Sequence, residues 1–595
     1  MRLQRLWLKQ FRNLRDVTVD FAEYYEPSPR QPASTERKAI RSHALIGQNG
    51  TGKSNLMEAI ISIFRGIDLG LDVEFDYELE YKIRGYVIKV KGDLAQQKRP
   101  LVWVDGEKKF LDYLRINDDP RKENYDPHKG PRLLPSHIFA YYSGRNERME
   151  ILFQEHQRRF NRRQEITAEE VTPENTVKEL EEREKELLRQ LGDDRLRRLF
   201  YCRGGHSQLV LLACLLSNDP VFQKILENLN IESLESALFV LKQPHRLRRL
   251  EEDDILQGDP RFWYARGNVV SEFLDKLWQV AWAPIQHEEP KLIDFRGRRE
   301  RQKQLYLFVP DKEKLRELGE LIGSPSSFFR YAEGAYIGDL IEEVRITVKK
   351  RDEHGGKVSF TQLSEGELQM LTVLGLMRIT NEDDCLFLLD EPDTHLNPIW
   401  KLRYFDDIEN VLKPRPDAIV QGESQVLITT HDPMMIGGLK REQVHILRKH
   451  GQQTEVVQPD EHPQGMGVSG LLKSEIFGLP STLDGQTMDD LQCRNDLLAK
   501  RREAGLTPDE EQELEYLVTR LEDLGFSREY RDPMYQLFIE QMYKVRRKPL
   551  NELLTKQEIQ AQNQLAEQII EELVKAERID ELSKIAQELA IKAKG

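Results

Sequence analysis

The run GQNGTGKS, Gly47 to Ser54, constrains the fold more than any other part of the chain. It follows a short apolar run at 44–46 and precedes a helical pattern with Leu56, Ala59, Ile60 and Ile63 on one face. Strand, glycine-rich turn and helix in that order present consecutive backbone N–H groups at a helix N-terminus, which is a cradle for phosphate. Asn49, Gly50, Thr51, Gly52, Lys53 and Ser54 line the expected cradle, Gly47 opens it, and Asn55 carries it into the helix. The expected ligand is ATP, with Lys53 reaching its β- and γ-phosphates and the Ser54 hydroxyl ligating Mg²⁺. A unit of this kind belongs in an α/β fold.

Residues 385–389, CLFLL, form an unbroken apolar run, the pattern of a strand covered on both faces, and it ends in Asp390 and Glu391. Such strand ends are where α/β sheets do their chemistry. Asp390 is expected to hold Mg²⁺, and Glu391 to orient or deprotonate the water that attacks a γ-phosphate. A second apolar strand, 426–430, leads to His431. Upstream, Ser364 and Glu367 have the S-x-x-E spacing of a capping box that opens a helix at 365–379, and Gly366 leaves room for an anion at that helix start. An acidic turn after a core strand and a capped helix are each commonplace when met alone. Their order along one chain, after the phosphate loop, gives them a joint meaning.

Together GQNGTGKS, LSEGE at 363–367, DEPD at 390–393 and the strand ending in His431 resemble the heads of ABC-type ATPases of the RecF, SMC and OLD-like group. The resemblance implies a mixed sheet flanked by helices with an antiparallel β-lobe. It implies that Ser364, Gly366 and Glu367 touch the ATP held by a second copy, that Asp393, Thr394 and His395 fall where that family keeps its D-loop, with Asp393 toward the nucleotide, and that His431 senses the γ-phosphate. The active unit would then be a homo-oligomer, at least a head-to-head dimer with two composite sites. The family also keeps a glutamine after a strand such as 138–143, to contact Mg²⁺ and the attacking water. SGRNER at 143–148 offers none, and Gln208, at the start of an apolar helical run, is the nearest candidate metal residue. Arg145 or Arg148 could instead meet phosphate.

The segments YYSG, HSQ, KSEIFGLPSTLD at 473–484 and RDPMY at 531–535 are similar to ATPases of bacterial anti-phage defence operons of the Septu type, which are PtuA-like. This implies an ATP-gated sensor or scaffold subunit that controls a separate nuclease effector. After His431 there is no strand-end glutamate followed by D-x-D, and no H-N-H histidine cluster, so any nuclease is expected on another polypeptide. The alternatives are a RecF- or SMC-like DNA-repair ATPase and a slow-turnover, ATP-dependent assembly scaffold.

At 595 residues the chain exceeds a single core. Residues 1–148 are expected to form the first half of the head, with the strictly alternating 73–83 and the runs 86–90 and 101–104 making the β-lobe. Residues 149–359 are read as an inserted lid or arm, mainly helical, with a charged helix at 176–191. Residues 360–466 complete the head with a last strand at 443–448. Residues 467–595 are read as a helical region open to partner docking, with helices at 488–500 and 508–524 and an amphipathic run at 557–594. A net charge of −14 weighs against a chain-wide nucleic-acid surface. It leaves open a local one at the basic clusters 158–163 and 296–303, which otherwise read as solvated helix faces. Four cysteines without metal or redox spacing, and no apolar run of about 18 residues, point to a cytoplasmic protein outside the membrane.

Overall fold

The computed structural model describes residues 1–25, 39–115, 132–144, 146–164, 198–250, 255–256, 258–292, 297, 299–351, 356–381, 384–413, 423–451, 453–479, 481–503 and 505–524, with short stretches between 557 and 575. Two compact units divide the chain, Met1–Asp460 and Glu461–Gly595. Elements are numbered in chain order.

The first unit is built on a seven-stranded sheet of order β18-β17-β3-β16-β15-β8-β9. Its strands are β3 (Ser42–Gly47), β8 (Ile138–Tyr142), β9 (Leu199–Tyr201), β15 (Leu386–Asp390), β16 (Gln425–Thr429), β17 (Val444–His450) and β18 (Gln453–Val457). All pair in parallel except β18, which closes one edge antiparallel to β17. Leu386, Phe387, Leu388 and Leu389 are all fully buried, as an unbroken apolar strand inside a two-sided sheet must be.

One face of this sheet shares a core with helix α1 (Lys53–Leu69) and with a six-stranded antiparallel lobe of order β2-β1-β4-β5-β6-β7. The lobe comprises β1 (Arg2–Phe11), β2 (Leu14–Asp20), β4 (Tyr77–Ile83), β5 (Tyr86–Gly92), β6 (Leu101–Val104) and β7 (Glu107–Lys109). In β4, Tyr77, Leu79, Tyr81 and Ile83 point into the core while Glu78, Glu80 and Lys82 are half-exposed, which is the alternation read from the sequence. The strand starts at Tyr77 rather than at 73, and the Asp76 carboxylate just before it accepts from Leu94 N and Lys9 Nζ.

From residue 147 the chain runs through α2 (Glu147–Gln164), β9, α3 (His206–Leu215) and α4 (Pro220–Asn228). A second antiparallel sheet follows, of order β11-β12-β10-β13-β14. It consists of β10 (Ile231–Lys242), β11 (Trp282–Leu292), β12 (Arg299–Val309), β13 (Ile341–Lys350) and β14 (Lys357–Ser359), with α5 (Pro325–Ile337) packed beside it. The insertion at 149–359, expected to be mainly helical, thus carries a five-stranded sheet beside its helices. These strands are rich in charge, with Glu288 opposite Lys303 in the ladder and Lys291 paired with Glu342 on β13. The basic cluster near 299–303 accordingly lies on a strand, whereas 158–163 lies on α2, where Phe160 is buried and Glu155 pairs with Arg158 and Arg159. The helix expected at 176–191 lies outside the described residues.

Helix α6 (Glu365–Thr380), buried along nearly its whole length, packs against α3 and α4, and α7 (Pro398–Val411) follows the DEPD turn. Among the described residues no single helix is long and apolar enough to cross a membrane; α3 and α4 pass that test only as a pair bent by 117°. In the second unit, α8 (Gly485–Glu503) and α9 (Pro508–Asp523) form the expected pair, closed by Leu497, Leu514 and Leu517. Most of 557–594, and 531–535, lie outside the described residues.

Candidate functional site

The phosphate loop leaves the carboxyl end of β3, the acidic pair that of β15, and His431 that of β16, three neighbours in one parallel sheet. The loop's shape depends on Gly52, which has φ 104°; a Cβ there would lie 2.4 Å from Leu14 Cδ2. The turn between β1 and β2 thus presses on the loop. It also buttresses it, because Asn13 donates to Gly50 O at 2.8 Å and accepts from Asn55 Nδ2 at 2.6 Å. Beside it Arg12 pairs at 2.5 Å with Glu58, a fully buried acid on α1. Burial raises the Glu58 pKa against the pull of Arg12 and Arg148.

Lys53 folds back over the loop and donates to Gly47 O at 2.9 Å. Its pKa is lowered by burial, with Glu391 and Asp390 opposing the shift. Lys53 Nζ also stands 3.4 Å from His431 Nδ1, and His431 Nε2 stands 2.7 Å from Glu391 Oε1. With the ammonium as donor, Nδ1 accepts and Nε2–H donates to Glu391, so one imidazole ties the loop lysine to the carboxylate. Glu391 itself takes a left-handed backbone, φ 51°, and its N–H is held by Thr429 Oγ1 at 3.0 Å. The same Thr429 hydroxyl donates to Asp390. Asp390 is wholly buried, and burial raises its pKa although the Thr429 and Ser54 hydroxyls bond to it.

A second group of predicted residues gathers at the start of α6. Ser364 and Glu367 form the full capping box, Ser364 N donating to Glu367 Oε2 at 2.8 Å and Glu367 N to Ser364 Oγ at 3.3 Å. Glu367 Oε1 pairs with Lys350 at 2.5 Å. Burial works to raise the Glu367 pKa, yet Lys350 and the Ser364 N–H bring it below its ordinary value. Gly366 lies under the DEPD turn: a Cβ would come within 2.5 Å of His395 O. His395 further reaches Glu365 at 3.0 Å and gives its N–H to Gln369 Oε1 at 3.2 Å. Asp393 points inward, bonded to Thr430 Oγ1 at 3.0 Å, and burial raises its pKa.

The predicted residues therefore fall into two halves. Gly47 to Asn55, Asp390, Glu391 and His431 form one, while Ser364, Gly366 and Glu367 are held by Lys350 and His395 in another. Gln208 belongs to neither. Its Oε1 accepts from Val344 N at 3.3 Å on β13, and this commitment withdraws it from the role of metal ligand. Arg148 lies 3.6 Å from Glu58, and Arg145 is outside the described residues. Arg12, Asn13, Glu58 and Thr429 were missed by the sequence reading. Glu58 lies on the side of its helix opposite Leu56, Ala59, Ile60 and Ile63, and no local signal marked it.

A parallel sheet bearing a phosphate loop, an acidic strand end and a histidine on adjacent strands, backed by an antiparallel lobe, is the mixed-sheet α/β arrangement expected from the sequence. A family profile described as "AAA domain, putative AbiEii toxin, Type IV TA system" matches residues 216–436. None of the curated proteins compared matches the chain. The SMC head domain from Thermotoga maritima aligns at 13% identity and a TM-score of 0.28, covering 77% of this chain and 99% of that one. The recombination mediator protein RecF-ATPrS aligns at 14% identity and 0.27, covering 76% and 98%.

Proposed function

We propose that the chain binds ATP with Mg²⁺ and hydrolyses it between two copies of itself, so that nucleotide closes a dimer. The observation that carries this reading is the Lys53–His431–Glu391 chain at the mouth of the phosphate loop. It sets a cation for phosphate and a carboxylate for water a single imidazole apart. The Ser54 hydroxyl and the Asp390 carboxylate fit Mg²⁺, which takes hard oxygen donors and few protein ligands when phosphates supply the rest. When bound, the ion would neutralise charge on the β- and γ-phosphates.

The chain's own residues do the remainder. Backbone N–H groups of the loop hold the phosphates, and Lys53 moves from Gly47 O to the γ-phosphate. Glu391 takes a proton from water as its oxygen attacks the γ-phosphorus, and the bond to the β,γ-bridging oxygen breaks to leave ADP. His431 couples that carboxylate to the lysine. The α6 start, with its dipole and its glycine, meets the γ-phosphate of the second copy.

The test is Mg²⁺-dependent phosphate release. Lys53→Ala should bind no ATP, whereas Glu391→Gln should bind normally and turn over about a hundredfold more slowly. Parent-like turnover in Glu391→Gln would remove the assigned base. The finer reading, in which closure of the pair controls a separate nuclease subunit in anti-phage defence, is supported by the resemblance of 473–484 and 531–535. ATP-dependent co-purification of a nuclease encoded beside this chain tests it, and DNA-stimulated hydrolysis by the chain alone would favour the repair reading instead.

A further inference from the structure

The parallel sheet has carboxyl ends besides those of β3, β16 and β15. Strands β8 and β9 lie side by side at its far edge, and at their ends opens a cavity of about 480 Å³. Tyr142 and Ser143 wall it from the end of β8, Tyr201 and Arg203 from the end of β9, and Gln369 from α6, with His395 completing the rim. Among the described residues, none of the phosphate loop at 47–54, nor Asp390, Glu391 or His431, lines it. Its volume is that of a small-molecule site, and the carboxyl ends of parallel strands are where such sites form.

Two buried polar atoms of the walls have no partner. Gln369 is 5% exposed, and its Oε1 accepts the His395 N–H at 3.2 Å, which fixes the amide and leaves Nε2 as an unused donor. Ser143 Oγ is likewise buried and unbonded. Tyr141, whose pKa burial raises against the pull of both, stands beside them with no hydrogen bond closed. A buried donor left unmade is unfavourable, so these walls suit an occupant that satisfies it.

The charges of the walls match one another. Arg203 pairs with Glu150 at 2.5 Å, and Glu365 faces His395 at 3.0 Å. Among the described lining residues no unmatched cation is left to draw a phosphate. What is left is neutral: an amide, a hydroxyl and the rings of Tyr142 and Tyr201.

We propose that this cavity binds a nucleobase, carried as a nucleoside. Bases stack on aromatic side chains and are recognised by hydrogen bonds along an edge that offers acceptors and donors together. A base carbonyl or ring nitrogen accepts from Gln369 Nε2, a neighbouring base N–H donates to Ser143 Oγ, and the base plane packs on the tyrosine rings. The ribose reaches the side of Gly204, where a Cβ would meet nothing within 4 Å. Binding here uses neither Lys53 nor Mg²⁺, so the site is additional to the ATPase reading and does not rest on it.

The experiment titrates adenosine, guanosine, cytidine and uridine in turn into the full chain carrying Lys53→Ala, by calorimetry, with ribose as control. At least one nucleoside should bind saturably at a single site, and ribose should not. In that background Gln369→Glu keeps the acceptor for the His395 N–H but removes the amide donor, and Ser143→Ala removes the hydroxyl. Each should raise the dissociation constant about fivefold or more with unchanged thermal melting. Ser143→Ala, at a half-buried residue, carries the test if the buried glutamate unfolds the chain. Affinity that the folded variants leave unchanged, or no saturable binding of any nucleoside, overturns the proposal. Phosphate release by the parent is read separately, so its failure would strike the ATPase reading and leave this site standing.

Discussion

Acid should loosen the strand that aims the phosphate loop, and the amount follows from one buried pair. His43 on β3 and His445 on β17 meet at 3.1 Å, Nδ1 to Nε2, with the edge of Phe21 against both rings. Both are almost completely buried. Burial lowers the His445 pKa from 6.5 to about 4, and burial together with His445 lowers His43 well below its ordinary value. The folded state thus excludes a proton that the unfolded chain takes up. Stability from the pair is fully present above about pH 6.5 and is lost as pH falls toward about 4. At about pH 5, His445 alone contributes a loss of roughly 2 kcal/mol, since each tenfold difference in proton affinity between the folded and unfolded chain is worth about 1.4 kcal/mol. Urea unfolding at about pH 7.5 and 5 measures the drop in the parent and in His445→Gln, which retains a hydrogen-bonding group but takes no proton. The variant's drop should be smaller by about 2 kcal/mol. Equal drops in both proteins would refute the reasoning.

Three more perturbations probe the site. Asn13→Ala removes the bonds to Gly50 O and Asn55, each worth about 1 kcal/mol, so the ATP dissociation constant should rise about tenfold or more by calorimetric titration; an unchanged constant would show that the turn does not support the loop. Thr429→Val keeps shape but strips the hydroxyl shared by Asp390 and the Glu391 N–H, which should lower stability by about 2 kcal/mol in thermal melts, and a melt equal to the parent contradicts it. Gly366→Ala forces a methyl against the His395 carbonyl, which is backbone and cannot swing aside. ATP binding should persist while turnover falls at least tenfold, and a parent-like rate would remove the α6 start from the reaction.

What could be read in the sequence is what the chemistry writes contiguously. The phosphate loop, the acidic end of β15, the capping box of α6 and His431 each lie within a few consecutive residues, so local pattern sufficed. The inserted sheet could not be read that way. Its strands pair across long sequence gaps, β10 with β13 for example, and their charged residues suit an exposed helix equally well until the partner strand is known. Asn13, Thr429 and Glu58 were hidden for the same reason: each acts through a residue far along the chain. Gln208 was drawn in by the absence of a glutamine on β8, and its position on α3 directs it to β13 instead.

The central claim is that ATP joins two copies, one supplying Lys53 and Glu391 and the other Ser364 and Gly366. Native mass spectrometry of Glu391→Gln with and without ATP and Mg²⁺ tests it most directly, with Lys53→Ala alongside. The mass should double with nucleotide in Glu391→Gln and stay single in Lys53→Ala. A Glu391→Gln chain that carries ATP yet remains a single copy would contradict the account.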